Sequence, residues 1–215
     1  MKSRPPVKAS RKPPARRMGP AGSATWHAIL DGAEEILREE GYAALNARKI
    51  ADRVGIKRQL VYYYFRDNDA LFVEMFNRLA GRELDRLKSA LETDRPLRET
   101  WDAGIFTIDT MLVSEFLVLA NRNPAVREAV VKYVAVARDI QIAALNKALK
   151  GRKFPQMDMP LAALAVLATG VAFVLPREAA LGFTNGHQEI LHVIEKFLTQ
   201  TEAGRTPGKQ RATAR

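Results

Sequence analysis

Residues 46–65, with the sequence NARKIADRVGIKRQLVYYYF, constrain the fold more than any other part of the chain. Two short helices joined by a tight turn need a small residue that lets them approach and an apolar side chain that wedges between them. They also need a residue that accepts positive φ, which is usually glycine, to end the first helix. Ala51, Gly55 and Val61 provide these three features in chain order. The spacing therefore predicts a helix-turn-helix.

Basic residues concentrate around this motif, with six between residues 48 and 66 against one acid, Asp52. Lys57, Arg58 and Gln59 fall at the start of its second helix, where a recognition helix presents side chains to base edges. An arginine can bridge guanine and a glutamine can bridge adenine in the major groove. A solvated face without any DNA role is the alternative for Arg58 and Gln59.

Tyrosine hydroxyls and the backbone amides at a helix N-terminus are further donors to phosphate. Three adjacent tyrosines point in different directions on a helix, so we expect Tyr64 or Tyr62 to be partly buried and Phe65 to belong to the core. The predicted DNA contacts are Asn46, Ala47, Arg48, Lys57, Arg58, Gln59, Leu60, Tyr62, Tyr63 and Asn68.

Helical spacing of apolar residues runs through the chain from Thr25, and no alternating strand pattern, repeat or hairpin signal accompanies it. The fold class is therefore predicted to be all-α. Capping and stop signals place helices at about 25–41, 46–55, 57–64, 69–92, 123–149, 161–181 and 187–199, with one from 96 that divides before 121. Pro176 lies inside the predicted helix over 161–181, and the sequence leaves open whether it kinks that helix.

Charge divides the chain into a neutral body and two cationic ends. Residues 1–23 carry seven basic residues and no acid, whereas residues 24–200 balance 23 basic residues against 23 acidic ones. We expect a disordered basic arm over 1–23 and a disordered basic tail over 201–215. A cationic arm on a neutral body favours a polyanionic partner. The arm is either an auxiliary DNA contact or an extension that only aids solubility.

The stretch IADRVGIKRQLVYYYFRDNDAL resembles the DNA-binding signature of the tetracycline-repressor (TetR) family, and the resemblance covers residues 25–72. Three positions depart from that pattern. Lys57 stands where the family commonly has Ser or Thr, Gln59 or Leu60 where it has a small residue, and Asn68 where it often has a phosphate-gripping Lys. These departures concern operator sequence and affinity rather than the fold.

The resemblance implies a three-helix DNA-binding domain over 24–68, a ligand-binding and dimerisation domain over 69–200, and repression as the function. It places a ligand pocket among the middle helices and a homodimer interface on the last two. Candidate pocket residues are Trp101, Phe106, Met111, Phe116, Asn121, Tyr133, Arg138 and Phe173, each of which could equally be ordinary core. They favour a small hydrophobic or aromatic effector.

The last two helices are more apolar than a surface helix requires, which suggests burial against a second copy, although a monomeric core is the alternative. The candidate interface residues are Leu164, Leu167, Val171, Ile190, Ile194 and Phe197. The uncharged run over 161–175 is shorter than the roughly 20 residues that span a bilayer. We therefore expect a buried helix there and no membrane partner.

Other functional classes lack support in the sequence. The chain has no cysteine, and its three histidines lack metal-ligand spacing, so we expect no metal and no cofactor. No phosphate-binding glycine loop or nucleophile motif is present, so we expect no enzyme activity. A homodimeric cytoplasmic regulator that binds double-stranded DNA is the prediction. A non-specific architectural DNA-binding protein that acts through its basic tails is the alternative.

Overall fold

The computed structural model describes residues 19–106, 110–150 and 159–202, with the side chains of 105, 106, 110 and 111 left aside. Every regular element in these ranges is a helix, so the predicted all-α class is confirmed. The helices are α1 (Ala24–Glu40), α2 (Ala47–Val54), α3 (Arg58–Tyr64), α4 (Asn68–Leu91), α5 (Pro96–Phe106), α6 (Thr110–Ala120), α7 (Pro124–Leu149), α8 (Leu161–Ala180) and α9 (His187–Glu202). A short 3₁₀ turn, Tyr42–Ala44, follows α1.

Helices α1 to α3 form the N-terminal part of the molecule, which we call the head. These helices begin and end at residues with clear local reasons. Ser23 Oγ accepts a hydrogen bond from Trp26 N at 3.2 Å, so α1 begins one residue before the predicted start. Asn46 caps α2, as predicted. The two predicted glycine stops are also confirmed, because Gly41 and Gly55 follow α1 and α2 with φ of 76° and 69°.

One continuous core holds the head together and joins it to the middle of the molecule. Ile29, Ile36 and Ile50 are fully buried and share this core with Met75 of α4 and Phe116 of α6. Burying side chains of this size stabilises a fold by about 1.5–3 kcal/mol each. The head and the first part of α4 are therefore one packed unit, even though the predicted domain boundary at 68/69 cuts through the first turn of α4.

The two longest helices, α4 and α7, pack along each other and are also tied at their starts. Asn123 Oδ1 accepts hydrogen bonds from the amides of Ala125 and Val126 at 3.0 and 3.1 Å, which confirms the predicted cap of α7. The side-chain amide of Asn123 donates to Asp69 Oδ1 at 2.7 Å in the first turn of α4. One residue thus fixes the starts of both helices.

The last helix extends further than predicted, to Glu202 rather than to about residue 199. Its end is buried, and Glu202 Oε1 accepts the Leu97 amide at 2.9 Å, which caps the N-terminus of α5. An ion pair between Arg98 and Glu195 joins the same two helices, and the hydrogen bond from Arg98 lowers the pKa of the Glu195 carboxyl to about 2. The sequence places residues 201 and 202 in a tail, but this tertiary contact makes them part of the folded body.

Helix α8 continues through Pro176 and is poorly covered in a single chain. By length and composition it is apolar enough to cross a membrane, yet only 11% of its most apolar 18-residue window is buried. In a single chain the helix is therefore not buried on most of its circumference, contrary to what its apolar run predicted. The exposed large apolar residues on α8, the following turn and α9 are Val166, Leu167, Val174, Leu181, Phe183, Leu191 and Val193.

Candidate nucleic-acid interface and effector cavity

The predicted helix-turn-helix has the geometry that its sequence requires. Gly55 lies in the left-handed region, and the Ile56 amide donates to Ala51 O at 2.9 Å, which closes the turn. Ala51 and Val61 are both 2% exposed, so the small residue and the apolar wedge occupy the junction between α2 and α3. The rigid junction fixes the direction in which α3 presents its outer face.

The outer face of α3 carries the predicted base-reading residues. Lys57, Arg58 and Gln59 are exposed at its start. Arg58 Nη2 donates to Tyr62 Oη at 3.3 Å, and its guanidinium carbon lies 5.4 Å from the centroid of that ring. Tyr63 is 44% exposed. These five side chains form one surface that combines positive charge with hydrogen-bonding capacity, which we call the α3 face.

Two of the predicted contacts face inward instead. Ala47 is 3% exposed and belongs to the core of the head, and Leu60 is partly buried against the same core. Tyr64 is also buried, which agrees with the expectation for one of the three tyrosines. The side chains of Ala47 and Leu60 therefore support the position of the α3 face and are not part of it.

The start of α2 differs from the prediction of amides open to a phosphate. Asn46 Oδ1 already accepts the amides of Arg48 and Lys49 at 3.1 and 3.0 Å. A phosphate would have to displace this cap to reach those amides. The exposed side chains of Arg48 and Asn46 remain at this edge, and Asn68 is exposed at the start of α4.

Two of the six basic residues around the motif point toward α1 rather than outward. Arg53 pairs with Glu39 at 2.9 Å and with Glu35 at 3.3 Å, and Lys49 pairs with Glu40. The hydrogen bonds from Glu39 and Glu35 raise the pKa of the Arg53 guanidinium. The sequence count therefore overstated the positive charge of the interface, because it did not anticipate which α2 residues face the acidic side of α1.

The N-terminal end of the described chain lies against α3. The Gly19 amide donates to Tyr63 O at 2.6 Å. A Cβ at Gly19 would lie 2.5 Å from carbons of the Tyr64 ring and 2.8 Å from the Tyr63 ring, so a larger residue here would displace these rings. Sequence reasoning missed this contact, since an isolated glycine beside a basic segment carries no distinctive signal. Residues 1–18 of the predicted arm lie outside the described residues.

A cavity of about 390 Å³ lies in the second half of the molecule between α4, α6, α7 and α8, with the end of α1 at its edge. Its lining is mostly apolar and aromatic. The lining residues are Arg38, Phe76, Leu79, Ala80, Arg82, Glu83, Arg86, Leu87, Gly104, Val113, Phe116, Leu117, Val130, Tyr133, Val134, Ala137, Arg138, Gln141, Thr169, Ala172, Phe173 and Arg177. A cavity of this size and character suits a small apolar ligand.

Four predicted pocket residues, Phe116, Tyr133, Arg138 and Phe173, line this cavity together. Two others do not. Trp101 packs with Leu97 and Leu145 in a separate cluster, and Asn121 is exposed just after α6. The side chains of Phe106 and Met111 lie outside the described part of the structure.

The polar groups of the cavity were largely missed by the sequence. Glu83 is 7% exposed, and burial raises the pKa of its carboxyl even though Arg86 acts in the opposite direction. Burial, together with the negative charge of Glu83, raises the pKa of the Tyr133 hydroxyl to about 12. Arg138 Nη1 donates to Thr169 Oγ1 at 3.2 Å. The Arg177 guanidinium lies on the Phe173 ring, and desolvation lowers its pKa.

An ion-pair cluster links the cavity to the head. Glu34 of α1 is 8% exposed and accepts Arg78 Nη2 at 2.7 Å and Arg82 Nη2 at 3.2 Å from α4. Arg78 also pairs with Asp31 at 2.7 Å. Arg82 lines the cavity as well. We call Glu34, Arg78 and Arg82 the α1–α4 clamp.

The predicted interface residues divide between the surface and the interior of the single chain. Leu167 is 55% exposed on α8, and Val171 and Ile190 are partly exposed. Three others, Leu164, Ile194 and Phe197, pack inside the single chain. They lie against a buried cluster that contains Leu97, Leu145 and Leu198. Amphipathic spacing identified the right helices, but it did not show which part of each apolar stripe remains uncovered.

No group of three or more His, Asp or Glu side chains within the described ranges is arranged to hold a metal ion. The arrangement is therefore that of two binding surfaces, one polar on α3 and one apolar within the second half. The α1–α4 clamp lies between them, with Glu34 buried and Arg82 exposed.

The comparisons with known proteins concentrate on the head. Residues 29–75 match the model of the tetR family of bacterial regulatory proteins. An HTH-type transcriptional repressor of Mycobacterium tuberculosis is 41% identical over 44 residues, which are 20% of this chain and 24% of that protein. The matches to curated relatives span only 24% to 37% of the relatives' own lengths.

Solved structures share the fold over most of the chain. A TetR transcription regulator from Haloarcula marismortui matches with a TM-score of 0.64 at 20% identity, over 82% of this chain and 95% of that one. FadR from Bacillus subtilis, a transcriptional regulator solved in complex with stearoyl-CoA, matches with a TM-score of 0.63 at 17% identity, over 83% and 98%. The helix-turn-helix and its match to the family model assign the DNA-binding head, residues 29–75, to the tetR family of bacterial regulatory proteins, and solved regulators share the fold over most of the chain.

Proposed function

We propose that this protein is a cytoplasmic transcriptional repressor that binds a palindromic operator as a homodimer and is released by a small hydrophobic or aromatic effector. The observation that carries the DNA-binding part is the α3 face. Lys57, Arg58 and Gln59 are exposed at the start of a helix whose opposite side is locked into a core by Val61. A recognition helix requires this combination of a rigid base and free polar side chains.

The dimer is supported by the uncovered apolar surface of α8 and α9. Leu167, Val193 and Phe183 are each more than half exposed on or between these helices. Contiguous exposed apolar surface on a soluble protein marks an interaction site. Two-fold pairing of the same surface would form a four-helix interface and would place two α3 faces on one duplex.

The effector site is supported by the cavity and by one relative. The cavity is lined mainly by apolar and aromatic side chains, with Phe76, Phe116 and Phe173 among them. FadR of Bacillus subtilis, which shares the fold, was solved with stearoyl-CoA, a ligand with a long apolar chain. We propose that an apolar or aromatic part of the effector occupies this cavity.

The α1–α4 clamp supports a route from effector to DNA. Arg82 contributes to the cavity wall and holds Glu34 of α1, so a ligand that shifts α4 would also shift the head. Two heads on a dimer would then change their spacing. Coupling of this kind is typically about 1–3 kcal/mol, or roughly 5–150-fold in DNA affinity.

The basic arm of residues 1–23 is proposed as an auxiliary DNA contact. Its described end, Gly19, donates its amide to Tyr63 O on the α3 face, and seven basic residues precede Gly19 in the sequence. Removal of residues 1–18 should lower affinity for operator and random DNA similarly and should reduce the salt dependence of binding. An unchanged salt dependence would assign the arm to solubility alone.

The deciding experiment is selection of bound fragments from genomic and random DNA by the purified full-length protein at near-physiological salt. An enriched inverted repeat supports the proposal. Absence of enrichment, with binding that disappears as salt rises, would favour the non-specific architectural alternative. Lys88→Ala is the control for loss of a positive charge on the α3 face, because it removes one exposed positive charge about 30 Å along α4 from the head. It should leave the selected sequence unchanged.

A further inference from the structure

Glu83, a residue of the cavity wall, has one buried carboxyl oxygen without a hydrogen-bond partner among the described residues. Glu83 lines the cavity from α4, and the residue is 7% exposed. Its Oε2 accepts a hydrogen bond from Arg86 Nη1 at 3.4 Å, but its Oε1 is buried and makes no hydrogen bond within the part of the chain that the structure describes. Buried polar atoms are nearly always hydrogen-bonded, because an unsatisfied one loses its hydration without compensation.

A role in stability does not account for this carboxyl. Its ion pair with Arg86 is long, and the Arg86 side chain is half exposed to water, so the attraction is screened. An apolar residue of similar volume would fill the same position without a desolvation cost. Glu83 also acts electrostatically on Tyr133 of α7, because its negative charge helps to raise the pKa of that hydroxyl.

The charges around the cavity restrict which partner the carboxyl can receive. Arg38 from α1, Arg82 and Arg86 from α4, Arg138 from α7 and Arg177 from α8 line the same space. Among the described lining residues, a cationic ligand would meet five guanidinium groups and one carboxyl. A purely hydrocarbon ligand would leave Oε1 as it is. A neutral hydroxyl or N–H donor satisfies the oxygen and adds no positive charge.

We propose that Glu83 is the polar recognition residue of the cavity, whose Oε1 accepts a hydrogen bond from a neutral hydroxyl or N–H group on an otherwise apolar effector. This inference rests on the proposed function of the cavity and adds the chemical class of its ligand. The effector is then an apolar alcohol, phenol or amide rather than a plain hydrocarbon or an ammonium compound.

The test uses two probes of equal size that differ in one group, 4-butylphenol and 4-butyltoluene, titrated calorimetrically into the full-length protein. The measured quantity is the ratio of their affinities, compared between wild type and Glu83→Leu. This comparison cancels the intrinsic difference in hydrophobicity of the probes. Because a hydrogen bond to a charged group is worth roughly ten- to a hundredfold in affinity, the preference for the phenol should fall about tenfold or more in Glu83→Leu.

Two further variants separate recognition from structure. Glu83→Gln keeps a carbonyl oxygen at the same position, so its preference for the phenol should lie between those of wild type and Glu83→Leu. Asp85→Leu removes an exposed acid from the same helix and should leave the ratio unchanged. If Glu83→Leu does not fold, as judged by circular dichroism, the comparison of Glu83→Gln with wild type decides.

The outcomes separate the two levels of the proposal. If the wild-type ratio equals that of Glu83→Leu while both probes bind, the role of Glu83 is overturned and the cavity remains a ligand site. If neither probe binds to wild type at concentrations near its solubility limit, the proposed effector cavity itself fails. A ratio that falls only in the Glu83 variants establishes the inference.

Discussion

The head and the C-terminal half of this molecule differ in how completely a single chain buries its apolar residues. In the head, the core is closed, with Ile29, Ile36 and Ile50 fully buried, and the surface offered to a partner is polar. In the C-terminal half, Leu167 and Val193 remain more than half exposed, and the interior contains a cavity with an unsatisfied carboxyl. The head has a closed core in a single chain, whereas the second half leaves apolar surface and a cavity uncovered.

The largest expected effect comes from substitutions that prevent a second copy from binding to the apolar surface of α8 and α9. Leu167→Glu combined with Val193→Glu places two charges on exposed apolar positions, so the chain should fold as a monomer. DNA affinity should fall by about 10²–10⁴-fold, because two linked half-site contacts become one. Light scattering and operator titration measure the two quantities.

A matched control uses the similarly exposed Val118 on α6, which is 56% exposed. Val118→Glu should leave the dimer intact. A dimer that survives the double substitution would move the interface away from α8 and α9. The change Ile194→Glu is a weaker test, since Ile194 packs against the chain's own core.

The next effect concerns a single side chain of the head. Arg58→Ala should cost about 1–3 kcal/mol at one base position of each half-site and relax the preference there, because the bidentate contact to guanine is lost. Affinity measurements on operators changed at single positions give the answer. Uniform loss across all sequences would instead make Arg58 a phosphate contact. Loss of the Arg58–Tyr62 hydrogen bond is separated from base reading by Tyr62→Phe.

A comparable or smaller effect is expected at the joint between the two regions. Glu34→Gln keeps the size of the side chain but removes the charge that Arg78 and Arg82 share. The variant should still bind operator, while the effector-induced loss of affinity shrinks by a factor within the roughly 5–150-fold range of typical coupling. Operator titration with and without effector is the measurement. An unchanged effector response would remove the clamp from the coupling route.

The smallest effect is a pH dependence from the cavity. Burial raises the pKa of Glu83 in the folded state, so the folded protein holds this proton more tightly than the unfolded chain does. The protonated carboxyl therefore adds to the free energy of unfolding below about pH 4.3, and this contribution is lost as pH rises through the raised pKa. Glu83→Gln carries no charge at this site. Its advantage in thermal stability over wild type should therefore grow from about pH 4 upward and then become constant. A difference that does not change with pH would contradict the buried, ionisable state.

The same contrast explains what could be read from the sequence. Asn46, Gly55 and Asn123 act through hydrogen bonds or backbone angles within a few residues, so their roles were predictable. The facing of Arg53 toward α1 and the cap of α5 by Glu202 depend on how separate helices are rotated against each other. Such contacts leave no local pattern.

The candidate site shows the same limit. Aromatic residues such as Phe116 and Phe173 were foreseeable as cavity residues because large apolar side chains concentrate in the interior. Trp101 meets the same criterion and lies elsewhere. Glu83 was not foreseeable, since an acid within a charged helix resembles any solvated residue in sequence until α7 packs against α4.

Arg82 belongs to two structures at once, the wall of the cavity and the clamp that holds α1. This double membership sets limits on how descendants of this protein could diversify. Positions such as Val113, Leu117 and Phe173 shape the cavity from α6 and α8, away from the clamp, and are open to change toward new effectors. A change at Arg82 would alter ligand choice and regulatory response together. Substitutions at Arg82 should therefore be selected against even where ligand choice itself is not under selection.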